Sequence, residues 1–201
     1  MPLAQSTTFT FQTFTGDQDN PDILVGGEAE WSNPGNAIAD DATNATADIG
    51  ALDAGTKLLR CTNPLPWLRD IQPGASLAVA TVHIYVDCSF SGAAPPVWNY
   101  AKLRDASGPV GSDASPDTAI IDGGSVIHLS SFGTHGLTIA DIQASTFGVE
   151  FGFKIGTGTA TARVDYVYAI IDWMPADYNL YKRFRGRQSL RRDPRFLGGY
   201  N

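Results

Sequence analysis

The stretch from Phe147 to Trp173, FGVEFGFKIGTGTATARVDYVYAIIDW, says most about the fold of this chain. Apolar residues alternate with small or polar ones on both sides of a Gly/Thr-rich segment, a pattern typical of two strands joined by a tight turn. With Thr157 and Gly158 as a two-residue loop, the stretch is predicted to form a β-hairpin in which Glu150 faces Asp165. The end of its second strand is apolar on both faces, which predicts burial on both sides.

The composition favours an all-β protein. Charged residues make up 17% of the 201 residues, below the usual ~25%, while 21 Gly and 12 Pro favour many turns and short strands. Alternation recurs at residues 7–15, 77–90 and 97–104, and the apolar faces of such strands need a second sheet to cover them. A single helical turn is predicted at Thr138, where Asp141 stands at the capping-box position.

Cysteine and histidine positions give no metal-site pattern. Cys61 and Cys88 both fall in predicted strands, and without a secretory context we expect two buried free thiols. His83 is predicted on the wetter face of its strand, with no His or Cys two positions away. His135 is predicted to be exposed on a loop, and nothing local joins it to His83 or His128. We therefore expect no metal and no cofactor.

No catalytic signature is present in the sequence. It lacks a GxSxG nucleophile elbow, a Walker loop, a dinucleotide fingerprint and an HExxH helix. If Glu150 and Asp165 face each other, they could be an acid/base pair, a cation site, or carboxylates compensated by Arg163 on the diagonal; compensation is the simplest of the three. We expect that the protein is not an enzyme.

Charge is distributed unevenly along the chain. Residues 1–176 carry a net charge of −12, whereas residues 177–201 carry +5. Arginine and aromatic residues alternate in this basic segment, a composition that suits docking to a protein and, less economically here, stacking on nucleic acid; a plain disordered tail is the third option. The residues predicted to dock on a neighbouring subunit or partner are Tyr178, Tyr181, Lys182, Arg183, Phe184, Arg185, Arg187, Arg191, Arg192, Arg195, Phe196 and Tyr200.

The sequence shows no pattern that predicts a membrane location. The segment MPLAQSTTFTF lacks the basic and apolar regions of a signal peptide, and no run of about 18 apolar residues follows. We expect no membrane association.

Four short patterns lie between residues 25 and 174. They are Trp31-x-Asn33-Pro34-x-Asn36-Ala37 with Asp40 and Asp41, Ile71-x-Pro73-Gly74-Ala75, Phe147-Gly148-Val149 and Val164-Asp165-Tyr166-Val167. Together they resemble a β-sandwich domain of tailed-bacteriophage structural proteins. The resemblance implies an antiparallel jelly-roll-like β-sandwich, which we place at residues 23–175. Outside the resemblance, we expect an N-terminal arm and first strand at 1–22 and, from charge and composition alone, a basic/aromatic C-terminal arm at 176–201.

The resemblance also implies a location and partners. It indicates a non-enzymatic virion component made in the host cytoplasm: a capsid decoration (cement) protein, or a neck or tail component. The expected partners are copies of the chain itself, for example as a trimer, and other virion proteins such as the major capsid protein. The alternative is a carbohydrate-binding jelly roll with Trp67, Trp98 and Tyr100 as sugar-stacking rings, although a core or loop-anchoring role for these rings is favoured.

Overall fold

A computed structural model describes residues 5–64, 77–133 and 135–175, which form a jelly-roll-like β-sandwich of two largely antiparallel sheets. A short 3₁₀-helix spans Pro34–Ala37, and one short α-helix, α1, spans Ile139–Gln143. The strands within these residues are β1 (Gln5–Gln18), β2 (Gly27–Ala29), β3 (Trp31–Ser32), β4 (Ala45–Ile49), β5 (Asp53–Thr56), β6 (Leu58–Pro64), β7 (Leu77–Gly92), β8 (Val97–Asp105), β9 (Gly108–Val110), β10 (Ser125–Leu129), β11 (Gly148–Lys154) and β12 (Ala160–Pro175).

Each sheet is built around one central strand that has partners on both sides: β12 in the first sheet and β11 in the second. In the first sheet β12 pairs with β7, which pairs with β10; on its other side β12 pairs with β4 and then with β1, and β3 extends from β4. In the second sheet β11 pairs with β8 on one side and with β6 and β5 on the other. Strand β9 extends from β8, and β2 pairs with β5 in parallel.

Strand β1 belongs to both sheets. Its first half pairs with β12 through Thr10, and its second half pairs with β6 from Phe11 onward. Phe9, Phe11 and Phe14 are all buried, as the shifted alternation in this segment predicts. The first strand is therefore an integral part of the sandwich, and residues 176–201 lie outside the described residues.

The predicted hairpin is wrong. β11 and β12 are consecutive but lie in opposite sheets, and residues 155–159 connect one sheet to the other. Glu150 pairs with Arg60 and Lys102 across the second sheet, whereas Asp165 lies in the first. Alternation shows which side chains are buried, but two strands that both cover the same core satisfy the same pattern whether they are neighbours or face each other.

A β-bulge at Asp165 explains why the end of β12 looks apolar on both faces. The register with β7 shifts between Val164 and Tyr166. Even-numbered residues therefore face the core before the bulge, and odd-numbered residues face it after the bulge. Val164 faces the core before the shift, and Ala169 does so after it. The prediction of a strand buried on both sides is therefore wrong, because Tyr166 and the alternate residues after it are partly exposed.

Several local predictions are confirmed. In β7 the residues Val82, Ile84, Val86 and Cys88 are at most 1% exposed, as their alternation predicts. The Thr138 side chain accepts from the Asp141 amide, and Asp141 bonds back to the Thr138 amide, which completes the capping box of α1.

Trp31, which begins the first of the four patterns named above, packs into the core. The Trp31 ring lies 6.0 Å from the Phe153 ring, and its Nε1 donates to the Lys57 carbonyl at 2.8 Å. Cys61 and Cys88 are both buried and free, as predicted.

Candidate binding surfaces

The outer face of the first sheet carries a row of stacked rings, here called the ring row: Tyr166, Tyr168, Tyr85 and His128. The sheet register places Tyr168, Tyr85 and His128 side by side on β12, β7 and β10. Their centroids are 4.8 Å and 4.5 Å apart with nearly parallel planes, and Tyr166 stacks on Tyr168 at 5.3 Å. The inner rings cover each other's faces, so a ligand can reach their edges and polar atoms.

Two histidines, here called the histidine pair, meet at the end of the ring row. The Nδ1 atom of His83 lies 2.9 Å from Nε2 of His128, and the other ring nitrogen of His83 lies 3.2 Å from Oδ2 of Asp172. The Ser6 hydroxyl donates to the remaining Asp172 oxygen. Burial, followed by the nearby His83, lowers the pKa of His128, which favours its neutral form.

These residues do not form a nucleophilic triad. A serine nucleophile needs its hydroxyl on the imidazole that removes its proton. Here the Ser6 hydroxyl bonds to the carboxylate of Asp172, and His83 lies on the far side of that carboxylate. The arrangement orients His83 but does not activate Ser6.

Asp40, Asp87 and Asp165 form an acidic cluster beside the bulge of β12. One oxygen from each carboxylate lies within 4.8 Å of the others. Burial, followed by the charges of the neighbouring aspartates, raises the pKa of Asp87; burial also raises the pKa of Asp165, against an opposing hydrogen bond from the Ala42 amide. Oxygen ligands of this kind suit a hard cation such as Ca²⁺, and these are the residues that could hold one.

Glu150 occupies a compensated position on the outer face of the second sheet. Its side chain is 2% exposed and accepts from Arg60 Nε at 3.1 Å, Arg104 Nη1 at 2.8 Å and the Tyr100 hydroxyl at 3.2 Å. Charge compensation is therefore confirmed for Glu150, but through Arg60 and Arg104 and not through Arg163. Glu150 and Asp165 do not form an acid/base pair, because they belong to different sheets.

An exposed apolar corner lies at one end of the sandwich. Leu24, Val25 and Leu52 are 87%, 86% and 89% exposed, well above the other large aliphatic residues among those described. The Gly27 amide donates to the Leu52 carbonyl at 3.0 Å, which holds the turn of Leu52 beside the segment that follows Val25. Leu24 also lines an open cleft of about 390 Å³ with Asn99 among its other walls. Single exposed aliphatic residues are ordinary, but the consecutive Leu24 and Val25, with Leu52 on a turn tied to the segment after them, form a candidate contact surface.

Two of the three residues predicted for sugar stacking, Trp98 and Tyr100, are not displayed on the surface. Trp98 is 0% exposed and packs edge-on against Phe153 at 4.7 Å, and Tyr100 is 4% exposed. Burial, followed by the charge of Glu150, raises the pKa of Tyr100. A buried ring offers no face to a sugar, so these two rings serve the interior. Trp67 and all the predicted docking residues from Tyr178 to Tyr200 lie outside the described residues.

Sequence reasoning missed the ring row and the histidine pair. His83 was correctly placed on the wetter face of β7, with Tyr85 and Asp87 on the same side. The pairing of β7 with β10 brings His128 to His83, and 45 positions separate the two in the chain. To find the site from the sequence, one would have had to predict that β7 pairs with β10.

Comparisons with known proteins give limited similarity. No protein-family model matches the sequence, and no curated protein sequence is similar to it. A solved structure titled "CBM4 structure and function" aligns with a TM-score of 0.39 and 15% identity over 72% of this chain and 90% of the other. The N-terminal cellulose-binding domain of Cellulomonas fimi β-1,4-glucanase C aligns with a TM-score of 0.35 and 14% identity over 79% and 91%. At these scores neither likeness carries a conclusion about the function of this chain.

Proposed function

We propose that this chain is a non-enzymatic structural protein of a tailed-bacteriophage particle, and that it acts as a capsid decoration protein. The apolar corner is the observation that supports this proposal most. Side chains as exposed as those of Leu24, Val25 and Leu52 gain about 25 cal/mol for each Å² of apolar surface that a partner covers. The sequence patterns that resemble phage structural proteins give the partner its proposed identity.

Assembly on a repeated lattice allows each contact to be weak. A decoration protein that binds many equivalent sites as an oligomer gains avidity, so a small apolar contact suffices at each site. The proposed partners are other copies of the chain and the major capsid protein. The basic segment at 177–201 is proposed to contact the acidic body of a neighbouring copy, because the two carry opposite net charge.

The apolar corner can be tested by co-sedimentation with particles assembled without this protein. A variant with Leu24→Ser, Val25→Ser and Leu52→Ser is expected to lose most particle binding. The matched control carries Ile121→Ser and Val126→Ser, which alter aliphatic residues that are 57% and 54% exposed outside the corner. The control is expected to bind like the unmodified chain. Equal binding by the corner variant would refute the docking role of the corner.

The C-terminal segment needs its own test. A chain truncated after Ala176 loses the whole basic segment and is expected to decorate particles more weakly than the full chain. If it binds as tightly, the segment has no docking role, whatever the result for the corner. Electron microscopy of the decorated particles then distinguishes a position on the capsid from one at the neck or tail.

Carbohydrate binding is a second candidate, favoured by the ring row on the open face of the first sheet. The stacked tyrosines and His128 present hydroxyl and imidazole groups, which can hydrogen-bond to sugar hydroxyls. A glycan array distinguishes the candidates. Binding that is lost in a Tyr85→Ala/Tyr168→Ala variant supports the module, whereas absence of glycan binding together with particle binding supports the decoration protein.

A further inference from the structure

We propose that the histidine pair, His83 and His128, is a binding site for one divalent transition-metal ion such as Ni²⁺, Cu²⁺ or Zn²⁺, with Asp172 as its positioning residue. The inference is independent of the proposed decoration role, because the apolar corner contains neither histidine; it shares His128 with the ring row of the second candidate function. Imidazole nitrogen is a preferred ligand of these metals.

The spacing of the two nitrogens suits a metal that binds ligands at right angles. Metal–imidazole bonds are about 2.0–2.1 Å long, so two such ligands lie about 2.9 Å apart at 90° and about 3.3 Å apart in a tetrahedron. The observed distance from His83 Nδ1 to His128 Nε2 is 2.9 Å. This N–N distance equals that of adjacent ligands in the tetragonal or octahedral geometry of Cu²⁺ and Ni²⁺, and the rings, whose centroids are 5.0 Å apart, need to turn so that both lone pairs converge on the ion. Zn²⁺ also requires the two nitrogens to separate by about 0.4 Å.

The hydrogen bonds around His83 already select the tautomer that a metal needs. Asp172 accepts from His83 Nε2, which leaves a lone pair on Nδ1, and Ser6 holds the other oxygen of Asp172 in place. A carboxylate that accepts the outer N–H of a ligating histidine fixes the ring and increases its basicity. This outer arrangement is therefore complete before a metal binds.

The proton between the two rings can move without net release. In the metal-free pair of neutral rings, His83 carries its proton on Nε2 toward Asp172, so His128 Nε2–H is the donor to His83 Nδ1. A metal that binds both of these nitrogens takes the place of that proton, which transfers to Nδ1 of His128. Each neutral ring then still carries one proton, and water molecules complete the coordination.

The scaffold holds the two ligands while leaving them accessible. His83 is on β7 and His128 on β10, whose backbones are paired from Leu129 to Ser125. The His128 ring lies flat against Tyr85 and is exposed to solvent at residue level. A bound ion would tie β10 to β7, so it would stabilise the folded chain in proportion to its occupancy.

Isothermal titration with NiCl₂ tests the site on the full chain produced without a histidine tag. One equivalent of Ni²⁺ is expected to bind and to raise the melting temperature. His128→Gln and His83→Gln should each weaken binding at least tenfold, and Asp172→Asn should weaken it by about 10- to 100-fold. Two control variants are expected to keep the full affinity for Ni²⁺. His135→Gln removes a histidine elsewhere, and Asp87→Asn/Asp165→Asn removes two of the three charges of the acidic cluster.

A spectroscopic readout separates positioning from a merely structural role of Asp172. Nitrogen chemical shifts should show His83 protonated at Nε2 in the unmodified chain and as a tautomer mixture in the folded Asp172→Asn variant. Absence of Ni²⁺ binding to the unmodified chain overturns the proposal. So does undiminished binding by folded His83→Gln and His128→Gln variants, or loss of binding in the acidic-cluster control.

Discussion

Replacement of Glu150 by glutamine should be among the most damaging single-atom changes in the described part of the molecule. The side chain is 2% exposed, and its carboxylate accepts from two guanidinium groups and a phenol hydroxyl. The side chains of Arg60 and Arg104 are only 24% and 16% exposed, so water cannot fully solvate them once the carboxylate is gone. The variant keeps the shape of the site and removes its negative charge.

The magnitude follows from the geometry. At the observed 2.8 Å and 3.1 Å, each charge pair is worth about 5–6 kcal/mol of Coulomb energy at an effective dielectric constant of about 20, and desolvation offsets several kcal/mol of this. Removal of one partner from a buried pair costs about 3–5 kcal/mol, because the remaining charges are left uncompensated. We expect a loss in that range for Glu150→Gln.

Urea unfolding at neutral pH, followed by circular dichroism, measures this loss, since urea does not screen the charges as guanidinium chloride would. Asp165→Asn is the matched control: it makes the same carboxylate-to-amide change in the other central strand but relieves repulsion within the acidic cluster. The control is expected to be as stable as the unmodified chain or more so. A loss below about 1 kcal/mol for Glu150→Gln would refute the account, since a pair that weak is typical of exposed salt bridges.

The stability gained by Asp165→Asn should depend on pH. Folding raises the pKa of Asp165, so protonation of this carboxyl contributes stability that is fully present below its ordinary pKa of 3.8 and is lost as the pH rises through the raised pKa. The variant is uncharged at every pH, so its advantage in melting temperature should be present at pH 7 and vanish near pH 3. Gly148→Ala should lose about 3 kcal/mol or more in urea unfolding, because its Cβ would lie 1.9 Å from the Cys61 carbonyl oxygen; normal stability would exclude this close approach. Trp98→Ala should lose about 3–5 kcal/mol on the same assay through the cavity it leaves, and a loss near zero would mean that the ring is not in the core. Burial raises the pKa of Cys61, and raises that of Cys88 to about 12, so Ellman's reagent at pH 8 should label neither thiol until urea is added; rapid labelling of the native chain would contradict this burial.

Strand positions and buried faces could be predicted from the sequence because both depend on local alternation. The core residues of β7 and the phenylalanines of β1 were found in this way, and the capping box of α1 follows from two residues three positions apart. Compensation of Glu150 by a neighbouring cation was also predicted, although from a register that placed Asp165 opposite it and Arg163 on the diagonal. The identity of that cation was not, because Arg60 and Arg104 reach Glu150 from strands far away in the chain.

Strand partners could not be predicted in the same way. A tight Gly/Thr turn favours a hairpin, but the segment between β11 and β12 passes from one sheet to the other. Both strands are central in their sheets, so each needs partners on both sides and takes them from elsewhere in the chain. Local alternation contains no information about which strands become those partners.

One extra residue in β12 decides which side chains form the outer surfaces. Without the bulge at Asp165, strict alternation from Val164 would direct Tyr166 and Tyr168 into the core and Ala169 outward. The bulge reverses this parity, so the tyrosines stack outside and Asp172 lies where it can orient His83. It also places Asp165 itself beside Asp87, where the acidic cluster forms. The ring row, the positioning of the histidine pair and the acidic cluster therefore share one cause, and that cause is a register shift which no local pattern in the sequence reveals.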